Sequence, residues 1–158
     1  MSVTKKASEL LADAGIVEDV SYYRSFDSED EKAVLTVPMK ITAGWARNDA
    51  DFFASIFVEN GSLLMQDTQL TSREQIREYM AAGFQGGLKG AQVHGGPLEI
   101  KFLRDNVVMV ITEGGIILAG ESEIAPERQI RATWIIVDEG DGVWKLFSHQ
   151  SSPAPYRG

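Results

Sequence analysis

Four side chains have the types and settings from which proton-transfer or anion-binding chemistry is built: His94, Glu113, Arg131 and His149. An imidazole titrates near 6.5, so a histidine facing a cavity can move a proton close to neutral pH. His94 comes just before Gly95-Gly96-Pro97, where a strand begins; it reads as a turn histidine or as a proton carrier on a cavity wall. His149 stands near the end of the last strand and reads as a polar lid or as a hydrogen-bonding ligand anchor. Glu113 follows an apolar strand and precedes Gly114-Gly115. At a pocket mouth its carboxylate would be desolvated and become a candidate general acid or base; on the surface it is a turn residue. Arg131 falls in mid-strand, where an arginine seldom sits without a partner. It would hold a ligand carboxylate or oxyanion, or pair with Glu113 or Glu121. Proton-transfer catalysis needs two such groups converging with separate roles.

Other chemistries are excluded by what the chain lacks. There are no cysteines, which removes thiol catalysis and disulfide frameworks. His94 and His149 are the only imidazoles and no H-E-x-x-H cluster occurs, so no metal is expected. The glycine pairs Gly86-Gly87 and Gly95-Gly96 lack the flanks of a dinucleotide or phosphate cradle and read as loop or bulge glycines; no cofactor is expected. Acidic residues outnumber basic ones by 23 to 15, giving a net charge of -8, which disfavours nucleic-acid binding. No apolar run is long enough for a membrane span and the start lacks a secretory pattern, so a cytoplasmic protein is expected. Asn60-Gly61-Ser62 then reads as a turn rather than a glycosylation site.

The elements that must position these groups follow from apolar spacing. The 158 residues suit one domain. Residues 1–27 form an N-terminal extension, with a short helix over residues 7–14 ended by Gly15. Tyr22, Tyr23 and Phe26 are unusual in a free tail and should dock on the domain or on a partner subunit. The domain proper spans residues 28–152, leaving 153–158 as a tail. Ser28 and Glu31 have capping-box spacing, and Val34, Val37, Ile41 and Trp45 recur along one helical face. Pro38 should kink that helix, or else restart it as a first helical residue. Asp49 caps a second helix bearing Phe52, Phe53, Ile56 and Phe57. Asn60-Gly61 turns the chain into a short strand, and Ser72 with Gln75 starts a third helix carrying Ile76, Met80 and Phe84.

The last third reads as strands. Leu98, Ile100 and Phe102 share one parity, Arg104-Asp105-Asn106 turns the chain, and residues 107–112 return. Residues 129–137 and 143–150 form a further hairpin through Asp138-Glu139-Gly140-Asp141-Gly142. Several strands are apolar on both parities, whereas a sheet covered on one face should alternate. A homodimer through the outer sheet face is the economical reading. The expected fold is α+β: three helices packed in a strongly curved mixed or antiparallel sheet, with a pocket between them. Trp45, Phe53, Phe57, Met65, Met80, Phe84 and Trp134 either line that pocket or fill it, and they suit a flat, unsaturated ligand.

Three motifs carry a family likeness. Trp45-Ala46-Arg47-Asn48-Asp49-Ala50 resembles a W-x-x-x-D-A helix end, and Phe57-Val58-Glu59-Asn60-Gly61-Ser62-Leu63 an F-x-x-D/N-G/A approach to a first strand. Arg131-Ala132-Thr133-Trp134, Asp141-Gly142-Val143-Trp144-Lys145-Leu146 and His149-Gln150-Ser151 resemble a closing R-x-T…G-x-W-x-I…H-x-S pattern. Over residues 29–152 the chain thus resembles the SnoaL-like relatives of nuclear transport factor 2 (the NTF2-like fold), and within them the SgcJ/EcaC group associated with enediyne antibiotic pathways. The resemblance implies a cone-shaped pocket. It also implies a general base near the end of the first strand, where Met65 and Gln66 stand and Asp67 comes one or two residues late. A one-residue slip changes the face of a strand, which weakens the isomerase and cyclase readings. The expected function is binding or handling of a hydrophobic polyketide or polyene intermediate. The alternative is a cofactor-independent cyclase, isomerase or dehydratase drawing on Asp67, His94, Glu113, Arg131 and His149.

Overall fold

The computed structural model describes residues 5–154, and its helices start where side chains can satisfy free amide groups. α1 (Ala7–Asp13) buries Leu10 and Leu11 against α2 (Glu29–Arg47). α2 opens with a complete capping box: the Ser28 hydroxyl accepts from the Glu31 amide and the Glu31 carboxylate accepts from the Ser28 amide. The helix runs unbroken through Pro38, so the reading of a restart there does not hold. A proline costs one helical hydrogen bond; the tertiary burial of Val34, Leu35, Val37 and Ile41 around it outweighs that loss. Asn48 ends α2 in the left-handed conformation, its amide donating to the Trp45 carbonyl while its Oδ1 accepts from the Gly90 amide. Asp49 caps α3 (Ala50–Ser55) and Ser72 caps α4 (Arg73–Gln85). Gln75 reaches back to the Thr71 amide rather than to that of Ser72.

Six strands form one mixed sheet. β1 (Phe57–Met65), β2 (Thr68–Leu70), β3 (Gln92–Arg104), β4 (Val107–Ile117), β5 (Gln129–Asp138) and β6 (Trp144–Pro153) lie in the order β2-β1-β6-β5-β4-β3. Only β1 and β6 pair in parallel. The sheet is curved and not closed, and the α+β fold is the one expected. Asn60-Gly61 is not a turn: β1 continues through it, with an irregular register against β6 between Phe57 and Ser62. β3 and β4 are both longer than the apolar runs suggested. β3 includes His94, Gly95 and Gly96, and β4 includes Glu113, Gly114 and Gly115.

These two glycine pairs face each other, with His94 opposite Gly115, Gly95 opposite Gly114 and Gly96 opposite Glu113. A Cβ on Gly95 would lie 2.1 Å from the Glu113 carbonyl oxygen, and one on Gly114 would lie 2.1 Å from that of His94. Strands approach this closely only without side chains. A second device acts on β6. Ile136 pairs with Leu146 but Ile135 pairs with Ser148, so Phe147 is an extra residue on its strand. The bulge reverses parity beyond it and brings His149 to the concave face, directly opposite Trp134. The core fills the narrow end of the cone, where Trp45 meets Phe53 and Phe84 edge-on at 6.1 and 5.6 Å between ring centroids.

Candidate functional site

A cavity of about 360 Å³ opens between α2 and the concave face of the sheet. Pro38, Ile41, Thr42 and Trp45 of α2 line one side; Phe53, Phe57, Leu63 and Met65 line the closed end. β4, β5 and β6 supply the floor. Their register places Val110, Trp134 and His149 in one row, and Thr112, Ala132 and Ser151 in the next. The Trp134 indole donates to the Thr112 hydroxyl at 2.8 Å, and its ring meets His149 edge-to-face at 4.4 Å. Thr112 and Ser151 therefore flank a methyl group, and the smallness of Ala132 is what leaves room above it.

His149 is half-buried on the cavity wall, and its Nδ1 is buried without a hydrogen-bond partner. Burial pushes its pKa down to about 4, so it is an uncharged imidazole at neutral pH. Unfolding raises that value to about 6.5, so the unfolded chain binds the extra proton between pH 6.5 and 4. The group's contribution to stability is complete above pH 6.5 and is lost progressively as pH falls to 4, to the extent of about 3 kcal/mol. Urea unfolding of wild type and His149→Gln at pH 7 and pH 4.5 checks this. The wild type should lose about 2 kcal/mol more than the variant over that interval; equal losses would remove the buried neutral histidine.

The rim is charged and internally paired. The Glu113 carboxylate accepts from Arg24 Nη1 at 3.0 Å, and the same nitrogen donates to the Pro97 carbonyl at 3.1 Å. The guanidinium lies over Gly96, where a Cβ would come within 2.6 Å of it. Arg128, also at the rim, pairs with Glu121 and donates to the Ile116 carbonyl. Tyr22 from the N-terminal segment lines the cavity beside Arg24, and burial raises its phenol pKa, so it stays protonated.

Of the expected site residues, His94, Glu113 and His149 reach the cavity, as do Trp45, Phe53, Phe57, Met65 and Trp134. Four do not. Asp67 occupies the exposed two-residue turn between β1 and β2, past the end of the strand that would have aimed it inward. Arg131 alternates with the inward Ile130 and Ala132 and is exposed; its expected partners Glu113 and Glu121 are taken by Arg24 and Arg128. Met80 and Phe84 lie behind the cavity wall in the core, Phe84 against Trp45 and Phe53. His94 stands at the exposed rim, not in the depth. Gln150 faces outward, where its amide and that of Gln69 exchange two hydrogen bonds. Sequence reasoning missed Arg24, Thr42, Gln66, Thr112, Arg128 and Ser151; the aromatic cluster at residues 22–26 was the one signal that the arm docks.

Among the described residues no group of three or more histidine or carboxylate side chains is placed to hold a metal ion. Nor is any helix long and apolar enough to cross a membrane.

The profile of the SnoaL-like domain matches residues 34–157. No functionally curated protein matches the chain. Among solved structures, a domain of unknown function with a cystatin-like fold from Nostoc punctiforme superposes with a TM-score of 0.71 at 21% identity, covering 80% of this chain and 78% of that one. A protein provisionally named a calcium/calmodulin dependent protein kinase II association domain, from Xanthomonas campestris, gives 0.66 at 21% identity, over 83% and 91%. One provisionally named a scytalone dehydratase, from Novosphingobium aromaticivorans, gives 0.59 at 15%, over 80% and 88%. At such identities the likeness shows the fold, and fold leaves chemistry open.

Proposed function

The chain belongs to the SnoaL-like domain family, and from that premise we propose that it binds an uncharged, flat, hydrophobic small molecule inside the cone. The observation that carries this reading is the open cavity of about 360 Å³ with apolar walls and a neutral histidine among them. An apolar cavity of roughly 150 Å³ already accepts benzene, so this one suits a molecule of two or three rings. The resemblance of residues 29–152 to the SgcJ/EcaC group supports the finer proposal that the ligand is a polyketide or polyene intermediate of secondary metabolism.

Catalysis is the weaker reading. A general base works best with a pKa near the working pH, and His149 at about 4 is far below it. Glu113 is neutralised by Arg24 at the rim, and Asp67 lies outside. A cyclase, isomerase or dehydratase would need a second group facing His149 across the ligand.

The test uses N-phenyl-1-naphthylamine, a flat neutral fluorophore with a single N–H. Its binding should quench tryptophan emission through Trp45 and Trp134. His149→Ala should weaken binding about tenfold, the effect of one lost hydrogen bond, while His94→Ala changes it less than twofold. Equal affinities in both variants would leave histidine anchoring without support, and no quenching at all would refute a ligand cavity.

We also propose a homodimer through the outer sheet face. Met109, Ile111, Ile135 and Val137 point outward from neighbouring positions of β4 and β5, half-exposed, with Phe147 of β6 exposed as well. Contiguous apolar surface of this kind is usually covered. Sedimentation should give twice the 17.4 kDa chain mass, and Ile135→Lys should reduce it to one chain. A wild-type monomer at micromolar concentration would refute the dimer.

A further inference from the structure

Thr112 is 7% exposed and lines the floor of the cavity. Its oxygen accepts the Trp134 indole proton at 2.8 Å, so one lone pair is occupied and the hydroxyl proton is directed away from the indole. That proton is then available to an acceptor on the cavity side. A ligand that covers this hydroxyl must accept its proton or leave a buried donor unpaired, at a cost of the order of 1–3 kcal/mol, and Thr112 lines the cavity beside Ala132. The indole is held by Thr112 at its nitrogen and by the edge of His149 on its other flank. The hydroxyl is thus a donor whose oxygen is held in place on a strand, on the wall of a largely apolar cavity.

From this we infer that Thr112 is a second polar recognition point of the cavity besides His149, and that the molecule it recognises carries a carbonyl oxygen on an otherwise apolar, uncharged frame. The inference rests on the reading of the cone as a ligand cavity. A carboxylate would also accept the proton, but its charge would be buried where no cation opens onto the floor. Arg24 and Arg128 are at the rim and already paired with Glu113 and Glu121. A ligand hydroxyl would accept the bond but bring a second donor needing its own partner. A carbonyl accepts from Thr112 and demands nothing further, and Ser151, across Ala132 in the same row, offers a second hydroxyl to the same oxygen or to another.

The experiment compares fluorene with 9-fluorenone, two flat three-ring molecules that differ by the carbonyl. Each is titrated into wild type, Thr112→Val and Thr112→Ser, following tryptophan quenching. Wild type should bind fluorenone about tenfold more tightly than fluorene. Thr112→Val should lose that preference or reverse it, since the carbonyl is then buried without a partner; Thr112→Ser should keep it. If Thr112 serves only to satisfy the Trp134 indole, the preference is the same in Thr112→Val as in wild type, and the inference falls while the cavity reading stands. If neither compound binds wild type, the cavity reading itself falls. Should Thr112→Val fail to fold, the carbonyl stretching band of fluorenone bound to wild type decides alone. A shift to lower frequency than in hydrocarbon solvent supports the hydrogen bond, and an unshifted band overturns it.

Discussion

Gly114→Ala is expected to lower the stability of the protein by at least ~3 kcal/mol, among the larger effects available to a single methyl group. The added Cβ would stand 2.1 Å from the His94 carbonyl oxygen and 2.9 Å from the Gly95 Cα. Both are backbone atoms of the facing strand, so no side chain can rotate aside. Relief requires the strands to part at Gly95 and Gly114, next to His94 and Glu113 at the rim. Thermal unfolding should show a midpoint about 10 °C lower, since for a domain of this size each kcal/mol is worth roughly 2–4 °C. Gly87→Ala is the control. Nothing lies within 4 Å of its Cβ, and its effect should stay within about 0.5 kcal/mol. If Gly114→Ala unfolds within 1 kcal/mol of wild type, the two strands do not approach each other as closely as this geometry requires.

The same glycines show where sequence reasoning stops. Helix starts were legible because their signals are local. The pairs Ser28 with Glu31 and Ser72 with Gln75 lie within one turn, and Asp49 caps its own helix. The inward set Val34, Val37, Ile41 and Trp45 follows from a period that one segment contains. Gly95 and Gly96 read as loop or bulge glycines because nothing in their segment announces that they will face Gly114 and Glu113 across two strands. The rim was illegible for the same reason, since Arg24 and Glu113 are 89 residues apart in the chain. The face taken by Arg131 was also illegible. Its neighbour Ala132 is the inward residue, and an alanine is too small to mark a face by hydrophobicity. His149 was placed correctly on the concave side, yet the feature that puts it there is the extra residue Phe147, which alternation alone does not reveal.

Ala132→Phe should abolish binding of N-phenyl-1-naphthylamine, with at least ~100-fold loss of affinity, the difference between burying the rings and leaving them in water. The protein itself should unfold within a few degrees of wild type. The two halves of this expectation have one cause. Ala132 lies between Thr112 and Ser151 on the floor of the cavity, and its methyl group is the only thing at that register position keeping the space open. A phenyl ring there would take up roughly 150 Å³, the volume that suffices for benzene, out of about 360 Å³. Its burial contributes about 1.5–3 kcal/mol, which is similar in size to the overpacking cost of an enlarged core residue, so the net effect on folding is small. An ordinary core substitution behaves differently: Phe53→Ala, at the closed end, should lose about 3–5 kcal/mol of stability. Binding that disappears while folding is retained therefore identifies the space above Ala132 as a ligand site rather than a packing defect. Unchanged affinity in Ala132→Phe would move the ligand out of the cone, toward the rim formed by Tyr22, Glu113 and Arg128.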